Sequence, residues 1–163
     1  MFGEPPAPGA VHGGAHVISA AVEAGASTLF TLSGAHIFPV YDAAVGGQQS
    51  VAAAESPRQA QHDGPIRLID VRHEQTAVFA AEATGKLSRR AGIAALTAGP
   101  GVTNGVSAIA GAWFNGSPLV VLGGRAPDYR WGSGALQELD QPPILQSITK
   151  AAWTVHDLSL IHI

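Results

Sequence analysis

DVRHEQTAVFAAEATGK, residues 70–86, decides the fold. It follows IRLID (66–70), a short apolar run that reads as a β-strand. It places Asp70, Arg72, His73 and Glu74 together and then turns almost wholly apolar at helical spacing, so a strand gives way to a helix at the charged knot. At about 100° per residue, the stripe headed by Glu74 continues through Val78 and Ala81. Glu74 therefore heads a face expected to be buried. Burial removes a carboxylate's hydration and favours a held or shared proton, while the positive end of the helix favours the charge. Two readings stay open: Glu74 caps its own helix, or it serves a site. Glu82 and Lys86 have the i,i+4 spacing of a surface pair and are expected to mark the wet side.

Outward from this stretch, strand and helix keep alternating. Residues 11–25 read as a helix closed by Gly25, STLFTLSG (27–34) as a strand and IFPVYDAAVGG (37–47) as a short helix. Residues 48–65 read as an exposed polar loop. AGIAALTAG (91–99) is a strand, PGVTNGVSAIAGAWFNG (100–116) one helix, and SPLVVLGG (117–124) a strand. Residues 125–143 read as a loop with one short helical turn, and 144–155 as a helical turn followed by a last strand. This order defines the α/β class: an open, mostly parallel sheet with helices on both faces. One domain, 11–157, is expected between a flexible start (1–10) and a non-native tail, LSLIHI (158–163).

The chain has 163 residues, enough for one core. Charged residues make up 13%, about half the usual share of roughly 25%. From Ala91 to Gly124 there is no Asp, Glu, Lys or Arg, and the helix within carries Gly105, Ala108, Gly111 and Ala112. A helix apolar all round is buried on more than one side, in the centre of a large sheet protein or at a tight subunit interface. The low total charge favours the interface. A net charge of −3 gives no basic field, which argues against nucleic acid as a partner. The absence of cysteine excludes disulfides and thiol catalysis. The chain shows no signal-peptide pattern and no unbroken apolar run of about 20 residues, so no membrane partner and a cytoplasmic location are expected.

In open parallel sheets, ligands bind beyond the carboxyl ends of the strands. Four such ends are marked: LSGAH (32–36), DVRHE (70–74), TAGPG (97–101) and LGGRA (122–126). GPGVTNG (99–105) is glycine-rich at a strand-to-helix turn but departs from the dinucleotide fingerprint, because Asn104 stands where the last glycine belongs. It is either a ligand turn or a tight turn with no ligand. The seven histidines show no ligand spacing with a carboxylate, so this chain is expected to hold no metal by itself.

RHEQTAVFAAE, TAGPGVTN, SPLVVLGG and GALQELDQ, in that order and spacing, resemble the N-terminal, pyrimidine-binding domain of thiamine-diphosphate-dependent enzymes. Within that family the chain is most similar to the acetolactate synthase-like and 2-hydroxyacyl-CoA lyase-like group. The resemblance implies a carboligase or lyase acting on a 2-oxo acid or an acyl-CoA-type substrate. It implies that Glu74 is the catalytic glutamate, hydrogen-bonding N1′ of the cofactor's aminopyrimidine ring and stabilising its imino tautomer. Gly99, Pro100 and Asn104 would line the pyrimidine pocket. Gly34 and Ala35 would face the reacting end of the cofactor, with His36 and Gln137 on the substrate side. SGAH stands where the synthases commonly have a P-G-G-A type turn, which leaves the substrate open.

The same resemblance implies Mg²⁺ and diphosphate bound by a G-D-G motif on a separate C-terminal domain, and it leaves room for FAD in a parent enzyme. No G-D-G occurs here; HDGP (62–65) is not one. The chain alone is therefore expected to be inactive. It is expected to assemble as a homodimer or tetramer through this domain, or as a separate pyrimidine-domain subunit with a diphosphate-binding partner.

Overall fold

The structure, a computed structural model, describes residues 12–46 and 64–156. The flexible start and the tail read from the sequence lie outside these residues, as does most of the 48–65 loop. Four strands, β1 (Thr28–Thr31), β2 (Arg67–Asp70), β3 (Gly92–Leu96) and β4 (Leu119–Gly123), form one sheet in the order β2-β1-β3-β4. Every pairing is parallel. The register sets Thr31 beside Asp70 and Ala95, and Leu96 beside Gly123, so all four strands end along one edge.

Alternation along the strands feeds two cores. Leu29, Ile93 and Ala95 face helices α1 (Gly13–Glu23) and α2 (Phe38–Ala44), where they meet Ile18, Ala21 and Ala44. Phe30, Ala94 and Leu96 face the other side and meet Ala77, Val78 and Ala81 of α3 (Glu74–Ser88). The Glu74 stripe is buried as read from the sequence: Val78 and Ala81 are fully covered. Because β2 and β3 flank β1 on opposite sides, the chain reverses its winding direction at the β1/β3 boundary, the switch point where such sheets bind ligands.

Three expectations need correction. Residues 100–116 form two helices, α4 (Pro100–Asn104) and α5 (Val106–Asn115), broken at Gly105, whose Cα packs against Leu96 and Val78 with no room for a side chain. Within this chain α5 buries Ala108, Ile109 and Ala112 and leaves Trp113 and Phe114 exposed. Glu82 is buried, away from the wet side; its Oε1 accepts from Asn115 Nδ2 (3.2 Å) and Ser117 Oγ (2.6 Å). The last strand does not form: after α6 (Pro142–Leu145) and one 3₁₀ turn, residues 151–156 join no ladder. That segment is fastened by side chains instead, His156 Nδ1 lying 2.9 Å from Asp128 Oδ2. Hydrogen bonds from His156 and then Arg125 hold the Asp128 carboxyl below its usual range.

Candidate functional site

The charged knot divides between strand, cap and site. Asp70 ends β2 and pairs with the exposed Arg72 at 2.7 Å. His73 is the N-cap of α3; its extended backbone lets Nδ1 accept the Gln75 amide at 3.2 Å. Glu74 is then the first helical residue and turns inward, with only 8% of its surface exposed. The capping role thus belongs to His73, and Glu74 is free of it.

α4 follows the turn after β3 and brings Asn104 to the same place. Asn104 Nδ2 donates to Glu74 Oε2 at 2.9 Å. The amide nitrogen is the donor and the carboxyl oxygen the acceptor. Glu74 Oε1 looks toward Gly101: a Cβ built there would lie 3.5 Å from Oε1 and 2.6 Å from Thr97 Cγ2. Gly99 has φ +56°, a conformation that favours glycine. A Cβ on it would lie 2.7 Å from the Gln137 carbonyl oxygen. Gly34 packs directly on the Thr97 side chain, so the ends of β1 and β3 touch at the switch point. His36 Nδ1 lies 3.4 Å from Thr97 Oγ1.

The structure therefore brings Glu74, Asn104, Gly99, Gly34, His36 and Gln137 into one contiguous cluster at the carboxyl edge of the sheet. Pro100 opens α4 and is exposed, and Ala35 opens the single 3₁₀ turn before α2 and is exposed. The cluster is a shelf at the surface. Two recesses, about 270 Å³ beside Arg90 and Thr84 and about 470 Å³ between α1 and α2, lie away from it.

Sequence reasoning misses two residues. Thr97, buried, is the hub that Gly34, His36 and Gly101 all touch. Gln141, also buried, donates from Nε2 to the Gly124 carbonyl at 2.8 Å. Both lie inside quoted motifs, but neither has a period or a charge to single it out. Behind the shelf, the Tyr41 hydroxyl donates to Thr31 Oγ1 (2.7 Å), which donates to the Ala95 carbonyl (2.6 Å), tying α2 to β1 and β3. Burial pushes the Tyr41 phenol above its ordinary range, opposed by the Thr31 hydrogen bond.

A buried carboxylate fixed at one oxygen, beside a glycine turn at a parallel-sheet switch point, fits an α/β cofactor-binding domain. The chain belongs to the thiamine pyrophosphate enzyme family: residues 11–144 match its N-terminal TPP binding domain. It is 49% identical over 144 residues to a probable acetolactate synthase of Mycobacterium bovis and equally to the acetolactate synthase large subunit IlvG of Mycobacterium tuberculosis. Those matches cover 88% of this chain and 23% of each relative. It is 40% identical over 139 residues to 2-hydroxyacyl-CoA lyase 2 of Danio rerio, covering 85% of this chain and 20% of the relative. The chain thus spans about a fifth of the length of the relatives it matches.

Proposed function

We propose that this chain is the pyrimidine-binding part of an acetolactate synthase-like enzyme, which decarboxylates a 2-oxo acid and joins the remainder to a second carbonyl compound. The observation that carries the reading is the Glu74 carboxylate, buried at the head of an apolar stripe and held by Asn104 beside the tightly packed glycine turn at 99–101. Identity favours the synthase over the lyase, 49% against 40%.

The residues fit the aminopyrimidine end of thiamine diphosphate. A ring nitrogen needs an acceptor, which Glu74 provides, and Gly99 and Gly101 bring backbone with no side chains of their own beside it. When bound, the cofactor supplies the electron sink for decarboxylation and carboligation. Glu74 holds or exchanges a proton at the ring nitrogen it meets, and Asn104 fixes the carboxylate for that task. In this reading Gly99, Pro100 and Asn104 line the ring. Gly34, Ala35, His36 and Gln137 face the reacting end and the substrate. Mg²⁺ and the diphosphate are assigned to a domain outside this chain. The uncovered face of α5, with Trp113 45% and Phe114 83% exposed, is read as a subunit contact in a homodimer or tetramer.

A full-length protein carrying this chain, given thiamine diphosphate, Mg²⁺ and pyruvate, is expected to form acetolactate. Activity confined to 2-hydroxyacyl-CoA substrates would move the assignment to the lyase, a reading supported by the 40% identity and the SGAH turn. Activity independent of thiamine diphosphate would overturn both. The 163-residue chain alone is expected to show no turnover.

A further inference from the structure

The loop from Gly132 to Gln141 carries Gln137 over Gly99, yet no ladder holds it. Two of its own side chains do. Glu138 closes the loop on itself: Oε1 accepts the Gly132 amide (2.8 Å) and Oε2 the Ala135 amide (2.9 Å). Gln141 fastens the loop to the sheet. Its Nε2 donates to the Gly124 carbonyl, and its Oε1 lies so close to Gly123 that a Cβ there would come within 2.7 Å.

Gly124 is a junction. Its amide donates to the Leu96 carbonyl (2.8 Å), carrying the β3–β4 hydrogen bonding one residue past the end of β4. Its Cα faces the site: a Cβ there would lie 2.7 Å from His36 Cβ and 3.1 Å from the Ala98 nitrogen. A shift of Gly124 therefore presses on His36 and on the turn that sets Gly99.

We propose that Gln141 is a positioning residue: its hydrogen bond to Gly124 sets the height of the Gln137 loop over the sheet edge and, through Gly124, the placement of His36 and Gly99. It deepens the reading above, which makes those three residues part of the cofactor and substrate site. The carbonyl only accepts, so the bond needs a donor at position 141.

Gln141→Met keeps the length and loses the donor. Gln141→Glu puts an oxygen against the Gly124 carbonyl when ionised but can donate when protonated. Backbone amide resonances of the chain are the readout. In Gln141→Met, Gly124, Ala98 and Gly99 are expected to shift, while the side-chain amide of Asn115, at the far end of α5, stays in place. In Gln141→Glu the same resonances should shift at neutral pH and return toward the wild-type positions on acidification, a rescue the Met variant cannot show. In full-length protein kcat/KM for the 2-oxo acid should fall roughly 3–10-fold in the Met variant, the scale of one net hydrogen bond. Shifts confined to Gly123 and Gly124, with Gly99 unmoved, would overturn the proposal. If the Glu variant does not fold, the Met variant decides alone. The resonances report on the loop whether or not acetolactate is made, so failure of this coupling and failure of the proposed activity are separate results.

Discussion

Helix α3 carries two buried glutamates, and they differ in what surrounds them. Glu74 and Glu82 have nearly the same exposure, 8% and 9%. Each accepts a hydrogen bond from an asparagine of the neighbouring helices, Asn104 or Asn115. Glu82 takes a second donor, Ser117, and both of its donors belong to the turn that ends α5. That turn passes through Gly116 at φ +62°, with nothing within 4 Å of where a Cβ would be. Glu74 takes one donor, and its other oxygen looks toward Gly101, where a side chain would collide with Thr97. One carboxylate ties α3 to the turn after α5; the other is held by a single asparagine beside a tightly packed glycine turn. Burial and residue type are the same at both ends, so they do not mark a site. The crowding of the glycines and the origin of the donors do.

The sharpest break of this comparison is Glu74→Gln. The amide oxygen still accepts from Asn104, so folding should change by about 1 kcal/mol or less. It cannot exchange a proton with a ring nitrogen, and turnover of the full-length enzyme should fall by about 10²–10⁴-fold. Hydrogen–deuterium exchange at C2 of the bound cofactor, compared with wild type, is the direct measurement; equal rates would remove Glu74 from the mechanism. Glu82→Ala should do the reverse. It strands the Asn115 and Ser117 donors and leaves a void, costing about 2–4 kcal/mol by urea unfolding, with turnover per folded molecule unchanged. Lost turnover at full stability in Glu82→Ala would make the two glutamates one class.

The sequence shows Glu74 and hides the role of Glu82 for a physical reason. Glu74 heads an apolar stripe at helical spacing, a local pattern. Glu82 has an oppositely charged residue four positions on, also a local pattern, while its true partners, Asn115 and Ser117, lie on another helix and the turn after it. The sheet, its parallel sense and most of the element boundaries follow from periodicity with small errors. The final strand expected at the end of 144–155 does not form, because a strand needs an open edge to pair with, which no single segment reveals. Gly34 and Gly99 stand out because turns after strands announce themselves by glycine, whereas Asn104 is assigned to the site by the family resemblance. Thr97 and Gln141 do not stand out, because a buried hydroxyl or amide is recognised only by what it touches.

Glycine substitutions sharpen the comparison at a smaller scale. Gly101→Ala places a methyl 2.6 Å from Thr97 Cγ2 and should cost about 1–3 kcal/mol by overpacking. It should also weaken thiamine diphosphate binding by the full-length protein, measured by titration. Gly116→Ala has free space but the wrong backbone preference and should cost about 1–2 kcal/mol, with cofactor binding intact. Gly116→Asn should recover most of that, since asparagine tolerates the left-handed region. Equal effects of the two alanines on cofactor binding would mean that crowding does not distinguish the two ends.

The smallest effect comes from a buried tie with no charge at neutral pH. Tyr41→Phe removes the donor to Thr31 Oγ1 but leaves that hydroxyl bonded to the Ala95 carbonyl, so no group is orphaned. The loss should be about 0.5–1.5 kcal/mol at neutral pH, with turnover retained. Its pH dependence gives a second check. Burial raises the phenol above the ordinary tyrosine range, so the folded state resists its ionisation more than the unfolded state does. The stability this contributes is fully present below the unfolded value and is lost as pH rises through the folded one. Wild type should therefore lose stability more steeply than Tyr41→Phe above about pH 10. Chemical unfolding of both proteins across that range is the measurement. Parallel curves would show that Tyr41 ionises as easily folded as unfolded. In that case the tie behind the shelf would be as open to solvent as the shelf itself.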